Sequence, residues 1–442
     1  MRNICSNKPY KEAQKNMCNT KITVVDAIMG AGKTTWSIDF INQQREKNIM
    51  YITPFLDEVQ RILHSVDRGF YEPINRGKGK QSDLRELVRN ERDIVSTHAL
   101  FGLFNEKTRQ VIADRHYILI LDEAVNAVLG YNSYVSDEDK IDQRDLNYLF
   151  KNKSIWVDDD NYVHWNTEYK DGSKFSKVKE LAEAHSLLYL NETFMIWRLP
   201  PETFKAFDEV YVLTYLFEST LMKYYFDFCG FTYKKKSIKK VNDVYTLVDY
   251  YKADTTKYQK LIHIYSGKMN RNYTGKDSNG KNAAVKFTNL SKTWYEDNNT
   301  SKRRKYTIDQ LKSNGENFIN HKRHGNNSNS LWTAFKTSEE GNGFLRGKGY
   351  YNSFIACNCR ATNNYGDRYN LIYFLNRYVN TNIRRFFETY NIRIDEDKYA
   401  LSELLQWIWR SAIRNGNEIW IYIPSKRMRY LLCEWLQIPL ID

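Results

Sequence analysis

Residues 24–36 read VVDAIMGAGKTTW. An apolar, β-branched run enters a loop carrying Gly30 and Gly32, and a helix-compatible stretch follows from Lys33. In a strand–glycine loop–helix unit, the loop amides and the free N–H groups of the first helical turn surround one concavity, which is a phosphate-binding geometry. Gly30, Ala31, Gly32, Lys33, Thr34 and Thr35 form the expected cradle, Lys33 bringing a mobile positive charge and the Thr34 hydroxyl a ligand for Mg²⁺. Against the pattern GxxxxGK[ST], Ala27 stands in place of the first glycine, while Gly30 and Gly32 still allow close backbone approach.

Working outward, short apolar runs recur as KITVVDA, NIMYITP, DIVSTH, YILILDE and EVYVLTYL between residues 21 and 216, most of them separated by enough chain for a helix. That alternation predicts an α/β unit with a parallel sheet. A second series, KLIHIYS (260–266), SFIACN (353–358), NLIYFLN (370–376) and EIWIYIP (418–424), predicts another. The expected layout is an N-terminal extension over 1–20, a first domain over 21–250 with an insertion at about 131–200, and a second over 251–442 with a basic insertion at about 268–348.

The run YILILDEA, residues 117–124, places five apolar residues before Asp122 and Glu123. Such a strand is buried on both faces, and its carboxylates emerge at the C-terminal edge, where open α/β sheets bind ligands. Two adjacent carboxylates can divide the work, Asp122 holding Mg²⁺ and Glu123 polarising an attacking water. Together with the glycine loop they point to ATP hydrolysis, with ATP and Mg²⁺ as the expected cofactors.

Composition narrows the setting. Of 442 residues, 42% are hydrophobic and 27% charged, which fits a folded globular chain. No run of eighteen apolar residues and no signal-like N-terminus occurs, so a cytoplasmic protein without a membrane partner is expected. Six scattered cysteines lack zinc-site spacing and read as reduced thiols. Lys and Arg exceed Asp and Glu by 66 to 53, a balance that favours a polyanionic partner. The stretch 268–348 holds sixteen of those basic residues against seven acidic ones. It reads either as a solvated insertion or as a basic arm on a phosphate backbone, with Trp294, Tyr295 and Trp332 available for stacking.

AIMGAGKT (27–34) is similar to the AxxGxGKT loop of superfamily 2 helicases, and DEAV (122–125) resembles their DEAD/DEAH-type box. The resemblance implies two RecA-like domains, and in that family an alanine at the first loop position is normal. ITP (52–54) resembles motif Ia and STH (96–98) the motif before the DE box, while LTYL (213–216) sits at motif III without its Ser-Ala-Thr. CRATNNYGDR (359–368) looks like the motif V region. ALSELLQWIWRSAIR (400–414) has a helical apolar stripe, and the four-residue spacing of Gln406, Arg410 and Arg414 puts these on another face. It resembles motif VI, QxxGRxxR, with Trp409 for the glycine and the last arginine displaced by one. The resemblance implies nucleic-acid contacts at Thr53, Pro54, Ser96, Thr97, His98 and Thr362, and arginines that complete the chemistry from the second domain, leaving open whether Arg410 or Arg414 does so. It extends to helicase-like proteins of bacteriophages and prophages.

The function so implied is an ATP-dependent nucleic-acid helicase or translocase of viral flavour, acting on DNA in replication or recombination, in the host cytoplasm, alongside proteins of those pathways. Two alternatives share the nucleotide site. A terminase-type packaging motor would normally add a nuclease with clustered strand-end carboxylates, which the second half does not show; an ATP-switched clamp or loader would use the same cleft without unwinding.

Overall fold

The structure, a computed structural model, describes residues 20–168, 173–270, 274–276, 282–284, 290–298, 307–335, 343–357 and 365–440. The chain divides into two α/β units, residues 1–251 with 380–394, and residues 252–379 with 395–442.

The first unit is built on an eight-stranded sheet. Its strands are β1 (Lys21–Asp26), β2 (Ile49–Thr53), β3 (Phe70–Tyr71), β4 (Asp93–Thr97), β5 (Ile118–Asp122), β6 (Glu209–Thr214), β7 (Tyr233–Val241) and β8 (Val244–Asp249). They run in the order β8-β7-β1-β6-β5-β2-β4-β3, with only β8 antiparallel to its neighbour. All five apolar runs of the first series are strands. Val24, Val25, Leu119, Ile120, Leu121 and Val212 are fully buried, because helices cover both faces of a parallel sheet. Helix α1 (Lys33–Gln43) and helix α2 (Leu56–Ser65) follow the first two strands.

Between β5 and β6 the chain forms a separate three-stranded antiparallel sheet of Val128–Gly130, Phe194–Arg198 and Leu187–Leu190, with a hairpin of Ile155–Val157 and Val163–Trp165. A helix from the distant segment Thr381–Thr389 belongs to this unit, where Phe386 and Tyr390 pack against Phe228 with ring centroids 5.1 and 4.7 Å away.

The second unit has a four-stranded parallel sheet of β9 (Ile262–Ile264), β10 (Ser330–Thr333), β11 (Asn370–Tyr373) and β12 (Ile419–Tyr422), in the order β9-β12-β11-β10. Here one expectation is corrected. Over its described residues, 353–357, SFIACN is not a strand and makes one bridge, Phe354 to Trp332; the edge strand is SLWT at 330–333, within the stretch expected to be a basic insertion. Four consecutive buried residues, Ser330 to Thr333, explain the exchange, since Trp332 enters the core beside Tyr350 and Phe374.

The proposed stacking surface is corrected by the same packing. Trp332 and Tyr295 are 0% and 1% exposed and serve as core, Tyr295 donating its hydroxyl to the Phe374 carbonyl at 2.7 Å. Trp294 is half-buried and edge-on to Tyr295. Truncating a side chain as large as Trp332 would cost about 3–5 kcal/mol, so its first role is to hold the sheet. The basic run Lys302, Arg303, Arg304 and Lys305 of the same stretch lies outside the described residues.

Candidate functional site

Strand register assembles the site before any side chain does. Asp26 at the end of β1 is level with Thr214, and Asp122 at the end of β5 with Leu213, so three adjacent strands finish at one edge. Past Asp26 the chain turns through Ala27–Gly32, with the Ala31 amide donating to the Ile28 carbonyl at 3.1 Å. Gly30 and Gly32 have φ of +77° and +92°, a region that costs a side-chain-bearing residue roughly 1 kcal/mol or more. Gly32 caps α1, whose first turn starts at Lys33 with no side chain satisfying its amides.

The Lys33 ammonium donates to the carbonyls of Ala27 and Ile28, the latter at 3.1 Å. Burial lowers its pKa to about 8, against the pull of Asp122, Asp26 and Glu123, the three carboxylates whose charge it feels. Thr34 beside it is half-buried and Thr35 exposed. Asp26, which the sequence did not single out, is buried and accepts from the amides of Leu216 and Phe217 at 2.8 and 3.0 Å. Burial raises its pKa nonetheless.

Asp122 is pushed up to about 6, chiefly by burial and then by the neighbouring Glu123, with Arg61 pulling the other way. Arg61 of α2 pairs with Glu58 and stands 3.9 Å from an Asp122 carboxylate oxygen. Glu123 has left the strand: its φ is +72°, and its amide donates to Leu213 at 2.9 Å. A non-glycine residue held there stores of order 1–3 kcal/mol, and such outliers cluster at functional positions. Lysine, glycine loop and acidic pair are therefore brought together, within one unit.

The other expected contacts divide. Thr53 is fully buried with its hydroxyl unpaired, and Ser96 is buried; Pro54 is half-buried. The Thr97 hydroxyl accepts from the Leu100 amide at 3.4 Å and so caps a short helix. The His98 Nε2 lies 3.1 Å from the Asp122 carbonyl, which ties this loop to the acidic strand end. Thr362 lies outside the described residues.

In the second unit the expected long helix is shorter. Helix α3 (Glu396–Ile408) is capped by Asp395 and stops before the arginines. Arg410 and Ser411 then bond three residues back, and the Ala412 amide turns away to the Arg368 carbonyl at 2.8 Å. The cause is packing: Trp409 enters the core edge-on to Tyr258 and Trp435, at 4.9 and 5.7 Å. Gln406, Arg410 and Arg414 thus do not share one helical face. Gln406 is half-buried on α3; Arg410 is 7% exposed, with Nη1 3.5 Å from the Ala356 carbonyl; Arg414 is exposed on a following 3₁₀ turn.

A family model described as the YonV C-terminal Rossmann-like domain matches residues 256–436, and another described as the YonV middle domain matches residues 135–197. The SPbeta prophage-derived uncharacterized protein YonV of Bacillus subtilis (strain 168) is 38% identical over 435 residues, 94% of this chain and 99% of that one. Among solved structures, that of S. tokodaii Xpd4 superposes with a TM-score of 0.48 at 12% identity, over 95% of this chain and 94% of that chain. One of XPD in its apo form gives 0.47 at 10% identity, over 96% of each.

Proposed function

This chain belongs to the YonV family, and we propose that it is an ATP hydrolase of helicase type that works on nucleic acid, DNA before RNA. The observation that carries the reading is the meeting of Lys33, Asp122 and Glu123 beside a glycine loop in one parallel-sheet edge, with Lys33 sensing both acidic residues. Such an edge suits a triphosphate: the loop and α1 amides bind its oxygens, and Lys33 exchanges the Ala27 and Ile28 carbonyls for them.

The donor set fits Mg²⁺, with the Thr34 hydroxyl and the Asp122 carboxylate as its protein ligands. Asp122 is a buried carboxylate raised by burial and by Glu123, and a nearby cation would relieve that cost. When bound, Mg²⁺ would neutralise charge developing on the phosphates. Glu123 then serves to polarise the attacking water, its left-handed backbone setting it apart from the strand. Of the two arginines, we assign Arg414 to transition-state stabilisation, because Arg410 is buried within its own unit. The resemblance of residues 27–34 and 122–125 to superfamily 2 motifs supports the helicase class, and the prophage origin of the B. subtilis relative suits a role in viral DNA metabolism.

The test is ATP turnover by the full chain with and without single-stranded DNA, duplex DNA and RNA, followed by strand displacement with whichever stimulates. Stimulated turnover with displacement is the expected result, and Glu123→Gln should abolish turnover while ATP still binds. Stimulation without displacement would make the protein a clamp, and normal turnover in Glu123→Gln would end the assignment of the site.

A further inference from the structure

The hairpin β7–β8 flanks the nucleotide loop on the side away from the acidic pair. Strand β7 pairs with β1 only from Tyr233 to Lys236, and the Ser237 hydroxyl donates to the Asp26 carbonyl at 3.0 Å. From Ile238 to Val241 only β8 accompanies it, so the hairpin overhangs the sheet edge by roughly 13 Å at about 3.3 Å per residue. On that overhang Tyr245 pairs with Lys240. The Tyr245 ring lies so close to Gly32 that a Cβ on the glycine would overlap its carbons. Tyr245 is half-buried, and the Lys240 ammonium is exposed, 6.0 Å from its ring centre.

The direction of a bound nucleotide follows from strand order. Asp122 stands two strands from β1 on the β6 side, and the hairpin stands on the opposite side. A terminal phosphate that meets Asp122 and Glu123 therefore leaves the nucleoside on the hairpin side. The geometry points to Tyr245 as the residue that receives the base of the nucleoside triphosphate, an inference that rests on the nucleotide-site reading above. An aromatic face stacks on any base, so the hairpin adds affinity with weak base discrimination, purines ahead of pyrimidines.

The experiment compares binding of Mg·ATP with binding of Mg·tripolyphosphate, which has the phosphates without the nucleoside, to the full chain. Tyr245→Ala should weaken ATP about tenfold, the scale of one lost base stack, and leave tripolyphosphate unchanged. Tyr245→Phe, which keeps the ring, should restore ATP to within about twofold. The ratio of the two ligands within one preparation cancels any loss of folded protein. Equal weakening of both ligands, or of neither, would overturn the role of Tyr245. Lys33→Ala should weaken both; if it weakens neither, the nucleotide-site reading fails, whatever Tyr245 does.

Discussion

In the first unit, Asp26, Lys33, Asp122 and Glu123 are placed by backbone: two strand ends in register, two glycines with positive φ and the start of a helix. In the second, the common face of Gln406, Arg410 and Arg414 required a helix to continue, and it ends at Ile408. Residues fixed by strand ends and glycine turns keep their places whatever packs around them. Residues that depend on helical phase lose theirs when one bulky neighbour, here Trp409, finds a better seat in the core. The comparison is sharpest when both regions are perturbed in the same assays.

The largest effect is expected at the glycine loop. Lys33→Ala should lower ATP turnover by about 10²–10³, the scale seen when one preorganised charge or donor is removed. Its melting temperature should not fall, because the ammonium is partly buried and its removal relieves desolvation. A large loss of stability would mean that Lys33 holds the loop together rather than serving a ligand.

Next in size is a pair of arginine variants. Arg410→Ala should cost about 1–3 kcal/mol in urea unfolding, because it empties a buried position and strands the groups around it. Arg414→Ala should stay within about 0.5 kcal/mol of the parent and instead reduce turnover. The reverse pattern would return the catalytic assignment to Arg410 and revive the reading of a shared face.

How far the sequence carried this site follows the same division. The β-branched runs were legible because strands of a parallel sheet are apolar on both faces, and the glycine loop because its residues demand that backbone. Tyr245 against Gly32 was not legible: the contact joins positions 213 residues apart and leaves no local pattern (245 − 32). Nor was Asp26, whose role as acceptor for Leu216 and Phe217 needs β6 beside β1. The strand at 330–333 hid in a polar, basic stretch, and only its burial identifies it.

A smaller effect on stability is expected at Glu123. Glycine occupies φ near +72° without the penalty that a side chain carries, so Glu123→Gly should raise stability by about 1 kcal/mol while abolishing turnover. Unchanged or reduced stability would show that the glutamate side chain repays its backbone strain with contacts.

A further expected effect is a dependence on pH. The Asp122 pKa is raised to about 6 from an ordinary 3.8, so the folded state binds its proton more tightly than the unfolded chain does. Its contribution to stability is fully present below pH 4 and is lost as pH rises through 6. Asp122→Asn, which cannot ionise, should therefore gain on the parent between pH 4 and 7, the difference levelling off above that range. Lys33 runs the other way, its lowered pKa making stability fall as pH drops through about 8. A profile of Asp122→Asn minus parent that rises with pH and then flattens assigns the titration to the carboxylate. One that falls would mean that Lys33 and Arg61 together outweigh burial, leaving an ionised Asp122 that is already paid for without a metal.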